Sequence, residues 1–287
     1  MNEFRTDLPA DESAFRRALY NGEIFRLPAN AVTTRLVGDI NALLGSELGG
    51  NPRAAQFQLS DAEFFERIGR LRKVIYTETP FHRAVGDVLR SFGFDPLRAA
   101  FDPIRLRVIS HKGFENPAAA PIYYAHRDTW YAHSQAELTW WIPLHDVTEI
   151  ETFEFYPDWF DKAVPNNSEA FDYDEWTRHG TSLRVGWQNP ADGRTHTFPG
   201  QTGEFDPGRR VGFDAKLGDV VIFAGAHFHQ TRKNATGRTR FSIDFRTVDL
   251  SDHEAGVGAP NADNRSTGSA VRDYVRGAAL TRPASAP

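Results

Sequence analysis

The hydrophobic period of this chain changes near residue 100, and that change constrains its fold more than any single motif. Before it, apolar residues recur three and four positions apart. In residues 30–47, Val32, Leu36, Ile40, Leu43 and Leu44 share a helical face behind an Asn30 cap. In residues 61–77, Phe64, Ile68, Leu71 and Ile75 do the same behind Ser60. A third helix is expected over 80–92, opening on Pro80 and ending near Gly93. Residues 22–29 read as a short strand. Beyond residue 100 the spacing becomes alternation, which predicts strands at 103–110, 121–128, 136–147, 152–156, 220–231 and 239–248. Helices first and many antiparallel-type strands afterwards point to an α+β chain with a β-sandwich or jelly-roll core.

The remaining segments fit around that core. Residues 157–208 form an irregular insert rich in Pro, Asn, Gly and Asp, with one helix expected near 169–179. Residues 251–268 read as a surface loop, 269–277 as a short helix, and 281–287 as a mobile end. The expected organisation is one domain over 1–250, with a helical part at 1–95 and a jelly-roll core at 100–250. Residues 251–287 are a C-terminal extension.

Composition narrows the chemistry. The 287 residues suffice for a large core, and 33 Lys and Arg against 38 Asp and Glu leave a charge of −5. That balance argues against a nucleic-acid or anionic-membrane surface. No stretch approaches the roughly 18 apolar residues of a membrane span, and the N-terminus has no apolar leader region. A soluble, cytoplasmic protein is expected. There is no cysteine, so any metal must be held by His, Asp, Glu or water. All six tryptophans lie between Trp130 and Trp187.

Two segments carry the candidate site. In His126-Arg127-Asp128, a strand would turn the imidazole and the carboxylate to one side. A hundred residues later the segment 217–248 brings His227 and His229 after an apolar strand, then Arg240 eleven positions beyond His229, then Ser242. Two histidines and a carboxylate make a facial triad that leaves positions open on Fe(II). An arginine on the next strand can grip a carboxylate bidentately, and Ser242 shares its face.

These residues resemble the phytanoyl-CoA dioxygenase-like family of Fe(II)/2-oxoglutarate-dependent oxygenases, over roughly residues 100–250. The resemblance implies a double-stranded β-helix, the cupin-like jelly roll, with the N-terminal helices packed on one sheet. It implies His126, Asp128 and His229 as metal ligands and Arg240 on the far carboxylate of 2-oxoglutarate. Thr231 and Ser242 would be further cosubstrate contacts. The cofactors implied are Fe(II), 2-oxoglutarate and O2. The reaction implied is hydroxylation of an unactivated C–H bond in a small metabolite or natural-product intermediate, with release of succinate and CO2. Desaturation and ring formation use the same cofactors. Halogenating relatives replace the carboxylate ligand by Gly or Ala, so Asp128 argues against halogenation.

The eleven-residue spacing selects His229 over His227, which would then support a ligand, face the substrate or lie on a solvated rim. Trp130, Tyr131 and Trp141 are the expected aromatic wall of the substrate pocket. Trp140 and Trp141 face opposite sides, so at most one of them lines it. Arg246 shares a strand face with Arg240, and would meet an acidic substrate or pair with Asp244. The insert is the expected lid. A reading of another class, a non-catalytic cupin-like or sugar-binding β-sandwich, has no use for Arg240. The substrate and the oligomeric state are not readable from the sequence.

Overall fold

The structure, a computed structural model, describes residues 3–180 and 198–277. The expected mobile end at 281–287, Trp187 and part of the insert lie outside the described residues.

The chain opens with α1 (Glu12–Tyr20), where the Asp11 carboxylate accepts the Ala14 N–H at 2.7 Å. Next come β1 (Phe25–Leu27) and α2 (Ala31–Leu48). α3 (Asp61–Thr77) and α4 (Thr79–Ser91) complete the helical part. Reciprocal capping boxes start α2, between Asn30 and Thr33, and α3, between Ser60 and Glu63. The strands that follow are β2 (Ala99–Phe101), β3 (Arg105–Ile109), β4 (Glu137–Pro143) and β5 (Phe153–Phe155). After α5 (Tyr173–Gly180) come β6 (Val220–Ala224), β7 (His229–Thr231) and β8 (Arg240–Asp249). α6 (Leu250–Glu254) and β9 (Val275–Arg276) end the described chain.

Seven strands form one antiparallel sheet in the order β1-β6-β4-β8-β2-β9, with β3 also paired to β8. A smaller sheet pairs β5 with β7 and gains single bridges at His126–His229 and Phe155–Val211. Strand periodicity sorts the large sheet into two faces. Leu138, Trp140, Ile142, Ile222, Phe241, Ile243 and Phe245 join Leu36, Ile40, Phe64, Ile68, Leu71 and Ile75 of the helices in the main core. Each such side chain contributes about 1.5–3 kcal/mol on leaving water. The alternate positions, Glu137, Thr139, Trp141, Arg240, Ser242, Asp244 and Arg246, lie on the other face. There Trp141 joins Phe153, Phe155, Phe213 and Phe223 in a second apolar cluster.

Three local expectations are corrected. Residues 121–128 are not a strand. Pro117 and Pro121 remove backbone donors, residues Pro117–Tyr123 coil into a 3-10 turn, and a second 3-10 turn starts at Asp128. The strand expected over 220–231 is two, because residues 225–228 turn, the His227 N–H bonding the Ala224 carbonyl at 2.9 Å. The expected helix at 269–277 is a 3-10 turn (Ala270–Asp273) followed by β9, which pairs with β2. Among the described residues no helix is long and apolar enough to cross a membrane.

Candidate metal centre

The centre is built on a backbone pair. His126 and His229 exchange both N–H···O bonds at 3.0 Å, and residues so paired in an antiparallel bridge present their side chains to one side. Their rings lie 4.5 Å apart between centroids. Each Nδ1 bonds a carbonyl two residues earlier, His126 to Tyr124 at 2.8 Å and His229 to His227 at 2.9 Å. A ring that donates from Nδ1 presents its Nε2 lone pair, so both imidazoles offer Nε2 to the site. Asp128, turned inward by its 3-10 turn, brings Oδ1 to 3.8 Å from His126 Nε2. Ligand atoms of His126, Asp128 and His229 all lie within 4.8 Å of one another.

Their protonation states suit a metal. Burial, and then the neighbouring His229, push His126 down to about 4. Burial likewise lowers His229. Burial opposes ionisation of Asp128, but the Arg246 guanidinium and the two histidines hold it well below the usual carboxylate range. Two neutral imidazoles and one carboxylate, with positions left open, are the donor set of a non-haem Fe(II) centre.

On the same face of the sheet stands Arg240, 2% exposed. Its Nε donates to the Glu151 carbonyl at 3.1 Å and its Nη1 to Ser242 Oγ at 2.5 Å. Its guanidinium lies 5.8 Å from the centroid of the Trp141 ring. Among the described residues no carboxylate oxygen comes within 4.0 Å of it. Burial, then Arg107, pull its pKa down to about 10. Ser242 Oγ also accepts from Trp141 Nε1 at 3.0 Å, so its own proton is free to be donated onward.

No protein-family model and no curated protein matches this sequence. Solved structures match it at low identity. EvdO2 from Micromonospora carbonacea var. aurantiaca, complexed with 2-oxoglutarate, is 14% identical over 85% of this chain and 94% of its own, with a TM-score of 0.48. The non-heme alpha ketoglutarate dependent epimerase SnoN from nogalamycin biosynthesis is 17% identical over 83% and 84%, with a TM-score of 0.39. The carbocyclase SnoK from the same biosynthesis is 13% identical over 85% and 87%, with a TM-score of 0.40. At that distance the chemistry is read from the side chains of this chain.

The other sequence candidates scatter. Tyr131 stands at the site, its ring 5.7 Å from His126 and its hydroxyl on the Pro199 carbonyl at 3.0 Å. Trp141 lies on the site face, and Trp140 is stacked on Phe245 within the main core. Thr231 sits two positions from His229 on β7, half-buried. Trp130 is instead fully buried, with its ring near Phe228 and Nε1 donating to Asp263 at 2.7 Å. It is packing rather than pocket wall. His227, 1% exposed, lies in the turn against Phe160, apart from the ligand cluster, and burial pushes it down to about 3. Arg246 does not pair with Asp244, which Arg107 holds through two bonds of 2.5 and 3.2 Å. It turns to Asp128 instead.

Several contributors escape a sequence reading. Phe153 and Phe223 flank His229, at 5.6 and 5.4 Å between ring centroids. Thr139 donates to Asp128 Oδ2 at 2.7 Å. Its signal is its place two positions before Trp141, on the same strand face. Arg127, between His126 and Asp128, bonds Asp263 and the carbonyls of Trp159, Phe160, Lys162 and Ala226.

Proposed function

We propose that this protein is an Fe(II)- and 2-oxoglutarate-dependent oxygenase of the phytanoyl-CoA dioxygenase-like kind, hydroxylating an unactivated C–H bond of a small metabolite or natural-product intermediate. The observation that carries the reading is Arg240, a buried cation without a carboxylate partner among the described residues, on the sheet face that also holds Asp128. Such a charge is costly unless an anion joins it. 2-Oxoglutarate is a dianion whose far carboxylate fits a planar guanidinium with Ser242 beside it.

His126, Asp128 and His229 would hold the iron. When bound there with 2-oxoglutarate and O2, it supplies an oxidative decarboxylation to succinate and CO2 and the oxidation of the substrate C–H bond. Arg240 and Ser242 orient the cosubstrate from its far end, with Thr231, two positions beyond His229 on β7, as a further contact. Trp141, Phe153 and Phe223 keep water from the inner side of the site. Tyr131 stands near His126, where a substrate would enter. The two antiparallel sheets on either side of these residues support the jelly-roll reading, with residues 1–250 as one catalytic domain and 251–287 as its extension.

The test is anaerobic titration with Fe(II) and 2-oxoglutarate, followed by admission of air. A weak visible charge-transfer band and Fe(II)-dependent succinate are expected. Neither band nor succinate at high protein concentration would overturn the proposal in favour of a binding protein.

A further inference from the structure

A carboxylate that ligates a metal through one oxygen must be kept from rotating, and Asp128 is gripped on both oxygens. Thr139 Oγ1 donates to Oδ2 at 2.7 Å and Arg246 Nη2 donates to Oδ1 at 3.1 Å. Thr139 on β4 and Arg246 on β8 are direct cross-strand partners, so one register pair supplies both grips. Each oxygen has two acceptor sites and each bond uses one, which leaves electron pairs for a metal.

Arg246 has no freedom to do anything else. Its three nitrogens face three different carboxylates: Nη2 at Asp128, Nη1 at Asp102 Oδ2 (3.1 Å), and Nε at Glu137 Oε1 (3.5 Å). Those partners are pinned in turn. Arg105 holds Asp102 through bonds of 2.8 and 3.1 Å. Tyr274 and His133 each lie 2.6 Å from Glu137 Oε2. The Arg246 side chain is 10% exposed and that of Glu137 fully buried. Gly225 completes the fit, because a Cβ there would stand 2.9 Å from Glu137 Oε1 and 3.3 Å from Asp128 Cβ. Only a residue without a side chain lets the Asp128 turn settle this close to the sheet.

We propose that Thr139 and Arg246 are positioning residues that fix the Asp128 carboxylate for the metal, with Asp102 and Glu137 serving to hold Arg246. The inference rests on the metal reading of His126, Asp128 and His229, and goes beyond it in naming what sets the geometry of the carboxylate ligand. Partners of this kind typically change metal affinity by 10–100-fold when removed.

The test uses the metal-free full chain titrated anaerobically with Fe(II), and separately with Co(II) for its visible spectrum. Thr139→Val keeps the shape of the side chain and deletes the donor. It is expected to weaken both metals by about tenfold and to shift the Co(II) bands, with the metal-free protein still folded. Thr139→Ser should return affinity and spectrum towards those of the parent, which a merely structural role would not require. Arg246→Lys, which cannot span three carboxylates, should weaken binding further if it folds. A folded Thr139→Val protein with parental affinity and spectrum would overturn the inference while leaving the metal reading intact. Failure of the parent itself to bind either metal would overturn both.

Discussion

Arg240 and Arg246 stand six residues apart on one face of β8 and live in opposite surroundings. Arg240 has no carboxylate partner among the described residues, and Arg246 has three. Replacing each by Met should therefore give contrary results. Arg240→Met removes an uncompensated buried charge and should leave the melting temperature unchanged or raised, while abolishing 2-oxoglutarate binding. Arg246→Met takes away the cation shared by three buried carboxylates, leaving them with Arg105, Thr139, Tyr274 and His133 alone, and should cost about 3–5 kcal/mol in chemical denaturation. Equal losses of stability would refute the contrast. The two histidines make a second pair. In a metal titration His229→Ala should lose Fe(II) binding and His227→Ala should retain it, and the reverse would reassign the ligand. At this scale the sequence carries much of the site, since His126, Asp128, His229 and Arg240 stand out by type and spacing. Arg246 does not, because its partners Asp102 and Glu137 come from distant segments and only the register of β4 and β8 brings them to it.

Among the elements, helices were the most legible, since capping residues at Asn30 and Ser60 mark where apolar periodicity begins. The nine-residue α1 has too few turns to show a pattern, though Phe15 and Leu19 are in the core. Residues 121–128 mislead because alternation also occurs by chance in a short aromatic stretch, and two prolines outweigh it. His126 still comes to lie beside His229, through one bridge rather than a strand. What holds this bridge segment in place is Arg127, whose guanidinium joins the insert, the 225–228 turn and Asp263. Loss of that guanidinium leaves Asp263 buried against Trp130 and the Val164 N–H alone. Arg127→Met should cost about 3–5 kcal/mol in urea unfolding and should loosen the insert to proteolysis. A protein as stable and as resistant as the parent would show that the clamp is decorative.

The molecule as a whole is tied together more closely than its sequence segments suggest. The C-terminal extension reads as a loop and a helix, yet it supplies Asp263 to Arg127, Tyr274 to Glu137 and β9 to the large sheet. The tryptophan crowding is similarly divided in space: Trp130 and Trp140 are packing and Trp141 is at the site. Acid should unsettle this assembly. His145 Nδ1 donates to the Asp146 carbonyl while Nε2 accepts the Phe241 N–H at 3.1 Å, at the start of β8. Burial, the larger influence, pushes its pKa down to about 4. The ordinary value in the unfolded chain is about 6.5, so between those values the unfolded state binds more protons and stability rises with pH. The contribution is complete above about pH 6.5 and lost as pH falls towards 4. Partial solvent access limits it to on the order of 1 kcal/mol, roughly 2–4 °C in melting temperature. His145→Gln, whose carbonyl can accept the same N–H, should make that part of the profile less steep, buried His126, His227 and His229 carrying the rest, and an unchanged slope would exclude His145 as a contributor.

The backbone pair between His126 and His229 has a thermodynamic consequence. Two donors about a hundred residues apart in sequence are brought together by main-chain bonds, so the entropy of closing that loop is spent in folding and not in metal capture. The pair is thus preorganised, and a cation captured there would add to the stability of a chain that is already folded, by mass action on the native state. The same backbone bonds set the two imidazoles side by side whether or not a cation is bound.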